Sequence, residues 1–197
     1  MLTVHGDIRS GNCLKVKWLL EWLGRDYRWV EVDIMNGGSR SAEFLAINPA
    51  GQVPTLVLED GRTLAQSNAI LMYLGEGTKL IPTDAYDRAR MTEWLFWEQY
   101  SHEPYVAVAR FQRVYQGRAQ ADVDPRLMQR GDAALDRLEG ALKGRTWLAG
   151  EAMTLADIAL VAYTRMASDG GFDLESRPSV RRWITGVEAA LGVEPYV

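Results

Sequence analysis

The chain has 197 residues, 47% of them hydrophobic, with a formal net charge of −4 and a sequence pI near 5.3. That length fits one ordinary domain or two small ones, and the acidic balance argues against nucleic acid or an anionic membrane as the main partner. One cysteine, Cys13, excludes an intrachain disulfide, and no apolar run is long enough to span a bilayer.

Residues 2–5 read as a short strand. The start lacks the basic segment and apolar core of a secretory signal, so a cytoplasmic location is expected. Residues 6–12 read as a loop, and a helix is expected from about Cys13 to Leu23. Its apolar set is broad (Leu14, Val16, Trp18, Leu19, Trp22, Leu23), which suggests burial on more than one side. Gly24 suits the position just past a helix end. Residues 27–32 are rich in β-formers and read as a second strand. A βαβ unit of this length implies parallel strands and a right-handed crossover. Residues 41–47 form a short helix.

Residues 48–73 run NPAGQVPTLVLEDGRTLAQSNAILMY. Val53-Pro54 leads into an apolar run of strand composition. Proline cannot donate to a ladder, so it belongs at a strand's first residue or on an edge, and a cis bond is plausible there. Glu59-Asp60-Gly61 is a hairpin turn signal, and the second strand returns over 62–65. Gln66-Ser67-Asn68 then opens a helix, with Ser67 expected as its N-cap. A strand edge can pair with a peptide backbone, and a helix start can hold a carboxylate. Together they suit a small peptide carrying an α-carboxylate.

Residues 76–85, EGTKLIPTDA, break the periodicity and read as an interdomain linker between 1–75 and 86–197. Everything after it reads helical. A long stretch over 86–115 contains Pro104, and a kink is expected near residues 102–104. A helix begins near Pro125, with Leu127, Met128, Leu135, Leu138 and Leu142 expected inward. Thr154 and Asp157 stand at N-cap and N3 spacing, and Met153 can pack on Ile158 as a hydrophobic staple. Pro178 starts a last helix, with Val180, Trp183, Ile184 and Val187 inward.

The order VPTL, hairpin, QSNAI resembles the glutathione-binding half of a cytosolic glutathione transferase. The capping box at Thr154 resembles one in the helical domain of that family, so the resemblance spans nearly the whole chain. It implies a thioredoxin-like β-α-β-α-β-β-α domain followed by an all-α domain. It further implies homodimers with glutathione as co-substrate and a second, electrophilic substrate held between the domains.

Ser10-Gly11-Asn12-Cys13 has C-x-x-C spacing with serine in first place, so Cys13 cannot close an internal disulfide. Serine-type, theta- and zeta-like members place a serine at the matching point, followed by a basic residue and a valine such as Lys15-Val16. The resemblance therefore makes Ser10 the residue that stabilises the glutathione thiolate. Asn12 is a rival donor to the same sulfur, and Arg9 could supply positive charge. A plain N-cap is the structural alternative for Ser10, and Cys13 reads as a small buried group. By the same resemblance, Val53 pairs with the cysteinyl backbone and Pro54 shapes that edge. Gln66 and Ser67 hold the γ-glutamyl end, and Arg40 with Gln52 reaches the glycyl carboxylate. For the second substrate the candidates are Ile8, Arg9, Tyr105, Val106 and Arg110. Tyr105 as a core aromatic and Arg110 paired with an acid stand equally as alternatives.

His5 and His102 with one cysteine make no metal motif, and no nucleophile elbow is present. A glutathione-dependent disulfide or peroxide reductase on the same scaffold remains the competing function. A non-enzymatic binding module is the third.

Overall fold

The computed structural model describes residues 1–196, which form two compact units, Met1–Glu76 and Gly77 onward. In the first unit, four strands are ordered β2-β1-β3-β4: β1 Leu2–Gly6, β2 Tyr27–Glu31, β3 Thr55–Val57 and β4 Thr63–Ala65. β1 runs parallel to β2 and antiparallel to β3, and β3 pairs antiparallel with β4. The expected βαβ crossover and hairpin are both present, which gives the thioredoxin-like plan. Val4, paired with Leu56, centres the sheet, and both are fully buried.

Helix α1 spans Gly11–Trp22, α2 Ala42–Ile47 and α3 Ser67–Gly75. α1 starts two residues earlier than its apolar pattern indicated, because the Ser10 carbonyl already accepts from the Cys13 and Leu14 amides. Ser41 caps α2 by accepting from the Phe44 amide. Ser67 is not the cap of α3. Gln66 takes that position at φ 71°, and Ser67 is the first helical residue. The Ser67 hydroxyl is directed to Asn12 of α1 instead of back to its own helix.

The second unit is helical: α4 Ala85–Trp97, α5 Glu103–Arg110, α6 Pro125–Leu142, α7 Leu155–Thr164 and α8 Pro178–Leu191. The long stretch expected over 86–115 is interrupted by π-helical turns at Glu98–His102 and Phe111–Tyr115. The first lies where Pro104 has no N–H to give, so the widened turn sits at the expected break. α7 is buried along its whole length and forms the unit's axis. Its start carries the expected capping box, with Met153 and Ile158 both buried beside it. On α8, Val180, Trp183 and Val187 are buried and Ile184 is half-buried; on α6, Leu127 and Met128 are half-buried. No helix among the described residues is long and apolar enough to cross a membrane.

Candidate functional site

The N-terminal unit brings two helix starts together. Asn12 lies in the first turn of α1 and Ser67 in the first turn of α3. The Ser67 hydroxyl donates to Asn12 Oδ1 at 3.0 Å, and the Lys15 ammonium donates to the same oxygen at 2.8 Å. The first N–H groups of a helix have no intrahelical acceptor and carry partial positive charge. An anion at either start is therefore stabilised by backbone donors as well as side chains. With the Ser67 hydroxyl proton given to Asn12, what Ser67 offers a carboxylate is its backbone N–H.

Ser10 occupies the N-cap of α1 in extended conformation, and its side chain makes no capping bond. Its hydroxyl instead hydrogen-bonds toward the Cys13 thiol. Cys13 is fully buried, with its sulfur beside Gly6. Burial pushes its thiol up to about 12. The Asp7 backbone and Ser10 hydroxyl pull it back, and the Asp7 and Glu31 carboxylates add to the rise. Cys13 thus takes the role of a small buried group. As the only cysteine, it gives a clean readout: no thiol should react with a disulfide reagent in native protein at pH about 8, and one should react in denaturant. Stoichiometric labelling of the native protein would contradict this placement.

The loop ahead of β3 is held by Asn48. Its amide nitrogen donates to the Gln52 carbonyl at 2.7 Å and to Thr55 Oγ1 at 3.0 Å, while its oxygen accepts from the Ala50 amide. This clamp presents Gln52 and Val53, and the Val53–Pro54 bond is cis. Arg40 reaches the same loop and donates to the Ala50 carbonyl at 3.2 Å. Gly51 has φ 63°, and a Cβ there would lie 2.4 Å from Arg40 Nη1 and 2.9 Å from the Ser39 carbonyl, so only glycine lets Arg40 pass. Gln66 Nε2 donates to Gln52 Oε1 at 3.4 Å. Arg40, Gln52, Val53, Gln66 and Ser67 are thus linked through one loop and one helix start. A non-glycine residue at positive φ, such as Gln66, stores backbone strain of the kind found at ligand sites.

The Arg9 guanidinium folds onto the buried Asp7 carboxylate, at 3.3 and 3.2 Å. Its side chain remains half exposed. Ile8 is exposed, with its amide donating to Glu31. In the helical unit, the Tyr105 hydroxyl accepts from Arg130 at 2.9 Å, and Val106 is fully buried. Arg110 is buried, pairs with Asp169 at 2.9 Å and lies over the Tyr115 ring. The acid-paired alternative for Arg110 is the arrangement the structure shows. The Tyr196 hydroxyl donates to the same Asp169 oxygen at 2.6 Å.

Four residues of this region were missed in the sequence: Asp7, Lys15, Asn48 and Glu31. Lys15 had a visible signal, since it stands three residues after Asn12 and therefore on the same helix face. Asn48 also had one, as an asparagine before Pro49 is a turn initiator. Asp7 and Glu31 had none. Among the described residues, no group of three or more histidine, cysteine or acidic side chains could hold a metal.

The family model described as "Glutathione S-transferase, N-terminal domain" matches residues 9–76, and "Glutathione S-transferase, C-terminal domain" matches residues 96–190. The disulfide-bond oxidoreductase YfcG of Escherichia coli is 31% identical over 183 residues, covering 87% of this chain and 83% of that protein. Glutathione S-transferase 3 of Zea mays is 32% identical over 200 residues, covering 95% and 89%. The crystal structure of a glutathione S-transferase from Pseudomonas fluorescens superposes with a TM-score of 0.92 at 45% identity, covering 95% of this chain and 94% of that one.

Proposed function

The chain belongs to the glutathione S-transferase family, and from that premise we propose that it binds glutathione in its N-terminal unit and activates the thiol for attack on an electrophilic carbon or a peroxide. The observation that carries this reading is the Ser67–Asn12 hydrogen bond, which joins the two helix starts. One start suits the γ-glutamyl carboxylate and the other suits a thiolate. Val53 offers its backbone to the cysteinyl part of the tripeptide, and Pro54 fixes that edge. Gln66 and the Ser67 amide receive the γ-glutamyl end, while Arg40 and Gln52 face the glycyl carboxylate. Ser10 and Asn12 donate to the sulfur. Ile8 and Arg9, with Tyr105 in the helical unit, are the second-substrate candidates that keep exposed surface. Val106, which is fully buried, and Arg110, which is paired with Asp169, drop out of that set.

The energetics are adequate. A free thiol titrates at about 8.5, so half ionisation at neutral pH needs about 1.5 units, or about 2 kcal/mol. One hydrogen bond to a charged group contributes about 1.5–3 kcal/mol, and a helix start adds about 0.3–1 kcal/mol.

A reductase reading is favoured by one specific relative, the Escherichia coli disulfide-bond oxidoreductase. Cys13 is buried with its thiol pushed up to about 12, so such chemistry would run on bound glutathione thiols and not on the chain's own sulfur. The exposed aromatics Phe96, Tyr100 and Tyr86 suit self-association, and a homodimer is part of the reading.

Calorimetric titration with glutathione, followed by turnover of an aryl halide and of a mixed disulfide, separates the cases. We expect saturable binding and aryl halide conjugation. Disulfide turnover that survives Ser10→Ala but is lost in Asn12→Ala would move the assignment to the reductase. No binding at millimolar glutathione would leave only a binding module.

A further inference from the structure

Lys15 lies one turn into α1 and is 0% exposed. Lysine is almost never fully buried unless its ammonium is engaged. Here Nζ donates to Asn12 Oδ1 at 2.8 Å, and Ser67 Oγ donates to the same atom at 3.0 Å. A carboxamide has an oxygen that only accepts and an NH2 that only donates. The Lys15 ammonium, which can only donate, therefore fixes the flip of Asn12, since the opposite flip would set its NH2 against the ammonium. The Ser67 hydroxyl, which can donate or accept, follows that choice and donates to the same oxygen. The amide oxygen is held toward Lys15 and Ser67, and the NH2 is turned to the other side.

The ammonium also changes the amide electronically. A cation on the oxygen draws electron density from the nitrogen, so the N–H becomes a stronger donor, as in any polarised hydrogen-bond chain. The Ser10 hydroxyl, for its part, hydrogen-bonds toward the Cys13 sulfur.

We propose that Lys15 is a positioning residue for thiol activation, holding and polarising the Asn12 carboxamide so that its N–H stabilises the thiolate of bound glutathione. The proposal rests on the glutathione reading above. Lys15 transfers no proton in it. The thiol proton leaves to solvent, and the sulfur's electron pair then forms the bond to the electrophilic carbon as the bond to the leaving group, halide in an aryl halide, breaks and the leaving group departs with that bond's electron pair.

The test is the ultraviolet thiolate absorbance of bound glutathione against pH, in the parent, Lys15→Met, Asn12→Ala and the double variant. S-methylglutathione, which has no thiol, reports binding alone. Lys15→Met should raise the midpoint by about one pH unit, which lowers the neutral-pH thiolate fraction up to about tenfold. S-methylglutathione affinity should stay within about twofold, because the loss falls on thiol activation and not on uniform binding. In the double variant, Lys15→Met should add nothing to Asn12→Ala, because the two act as one unit.

An unchanged midpoint in Lys15→Met with S-methylglutathione still bound overturns the proposal. So does an additive shift in the double variant, since Lys15 would then act on the sulfur without Asn12. If Lys15→Met does not fold, Asn12→Asp decides. It keeps an acceptor for Lys15 but puts a carboxylate where the NH2 stood, so the midpoint should rise by at least about one unit. No rise there overturns the proposal. A parent midpoint equal to that of free glutathione overturns both the proposal and the activation reading. A depressed parent midpoint with an unmoved Lys15→Met overturns the proposal alone.

Discussion

Replacing Asp157 by alanine should lower the stability of the protein by about 3–5 kcal/mol, measured by urea unfolding, because each stranded buried donor costs about 1–3 kcal/mol. Asp157 is 0% exposed. Its Oδ1 accepts from the Leu148 amide at 3.0 Å and from Trp183 Nε1 at 2.9 Å. Its Oδ2 accepts from the Thr154 amide at 2.9 Å and from Thr154 Oγ1 at 3.1 Å. Burial raises the carboxyl above its usual range, and these donors pull it back. The same carboxylate thus caps α7, anchors α8 through Trp183 and fixes the loop at Leu148. The Leu148 carbonyl in turn receives Trp94 Nε1 of α4 at 3.1 Å. Alanine would strand three buried N–H groups and remove the cap at once. Asp157→Asn keeps the volume and one acceptor, so its loss should be smaller. A loss below about 1 kcal/mol for Asp157→Ala would mean that these donors find water, and that the hub is not structural.

Ser10→Ala should reduce kcat/KM for glutathione conjugation at neutral pH by about 10- to 100-fold, the loss of one hydrogen bond to a charged group. The fall should appear in kcat as well as in kcat/KM, because the bond strengthens as the thiol ionises. It should shrink as the pH approaches the free thiol's own titration, where ionisation no longer needs help. The structure adds a condition. The Ser10 hydroxyl hydrogen-bonds toward Cys13, so its proton must be redirected from that contact to serve a bound sulfur. Asn12, by contrast, is already locked by Lys15 and Ser67. If Ser10→Ala leaves the rate within about twofold, the Ser10 proton stays with Cys13 and Asn12 is the principal donor.

Much of this architecture was legible because several local signals agreed. The capping box at Thr154 and Asp157 needed only spacing to find. So did the hairpin at Glu59–Gly61 and the proline ahead of β3. The start of α3 was misread for a physical reason. Serine is a good cap in isolation, but Ser67 has a better partner in Asn12, 55 positions earlier in the chain. Long-range hydrogen bonds of that kind leave no periodic trace. Arg9 and Arg110 show the same limit. Arg9 looked like an available positive charge and Arg110 was as readily read as acid-paired, and each is paired with an acid, Asp7 and Asp169, that spacing alone could not select. Lys15 was visible as the basic residue after the serine and as a neighbour of Asn12 on one helix face. Its burial and its contact with Asn12 required the folded chain.

The central claim is that donors at the start of α1 hold glutathione as its thiolate. It is tested most directly by titrating the ultraviolet absorbance of the bound thiol in the parent, in Ser10→Ala and in Asn12→Ala. The parent midpoint should lie at least about one unit below that of free glutathione and be displaced upward in both variants. A parent midpoint at the solution value, with glutathione demonstrably bound, would contradict it.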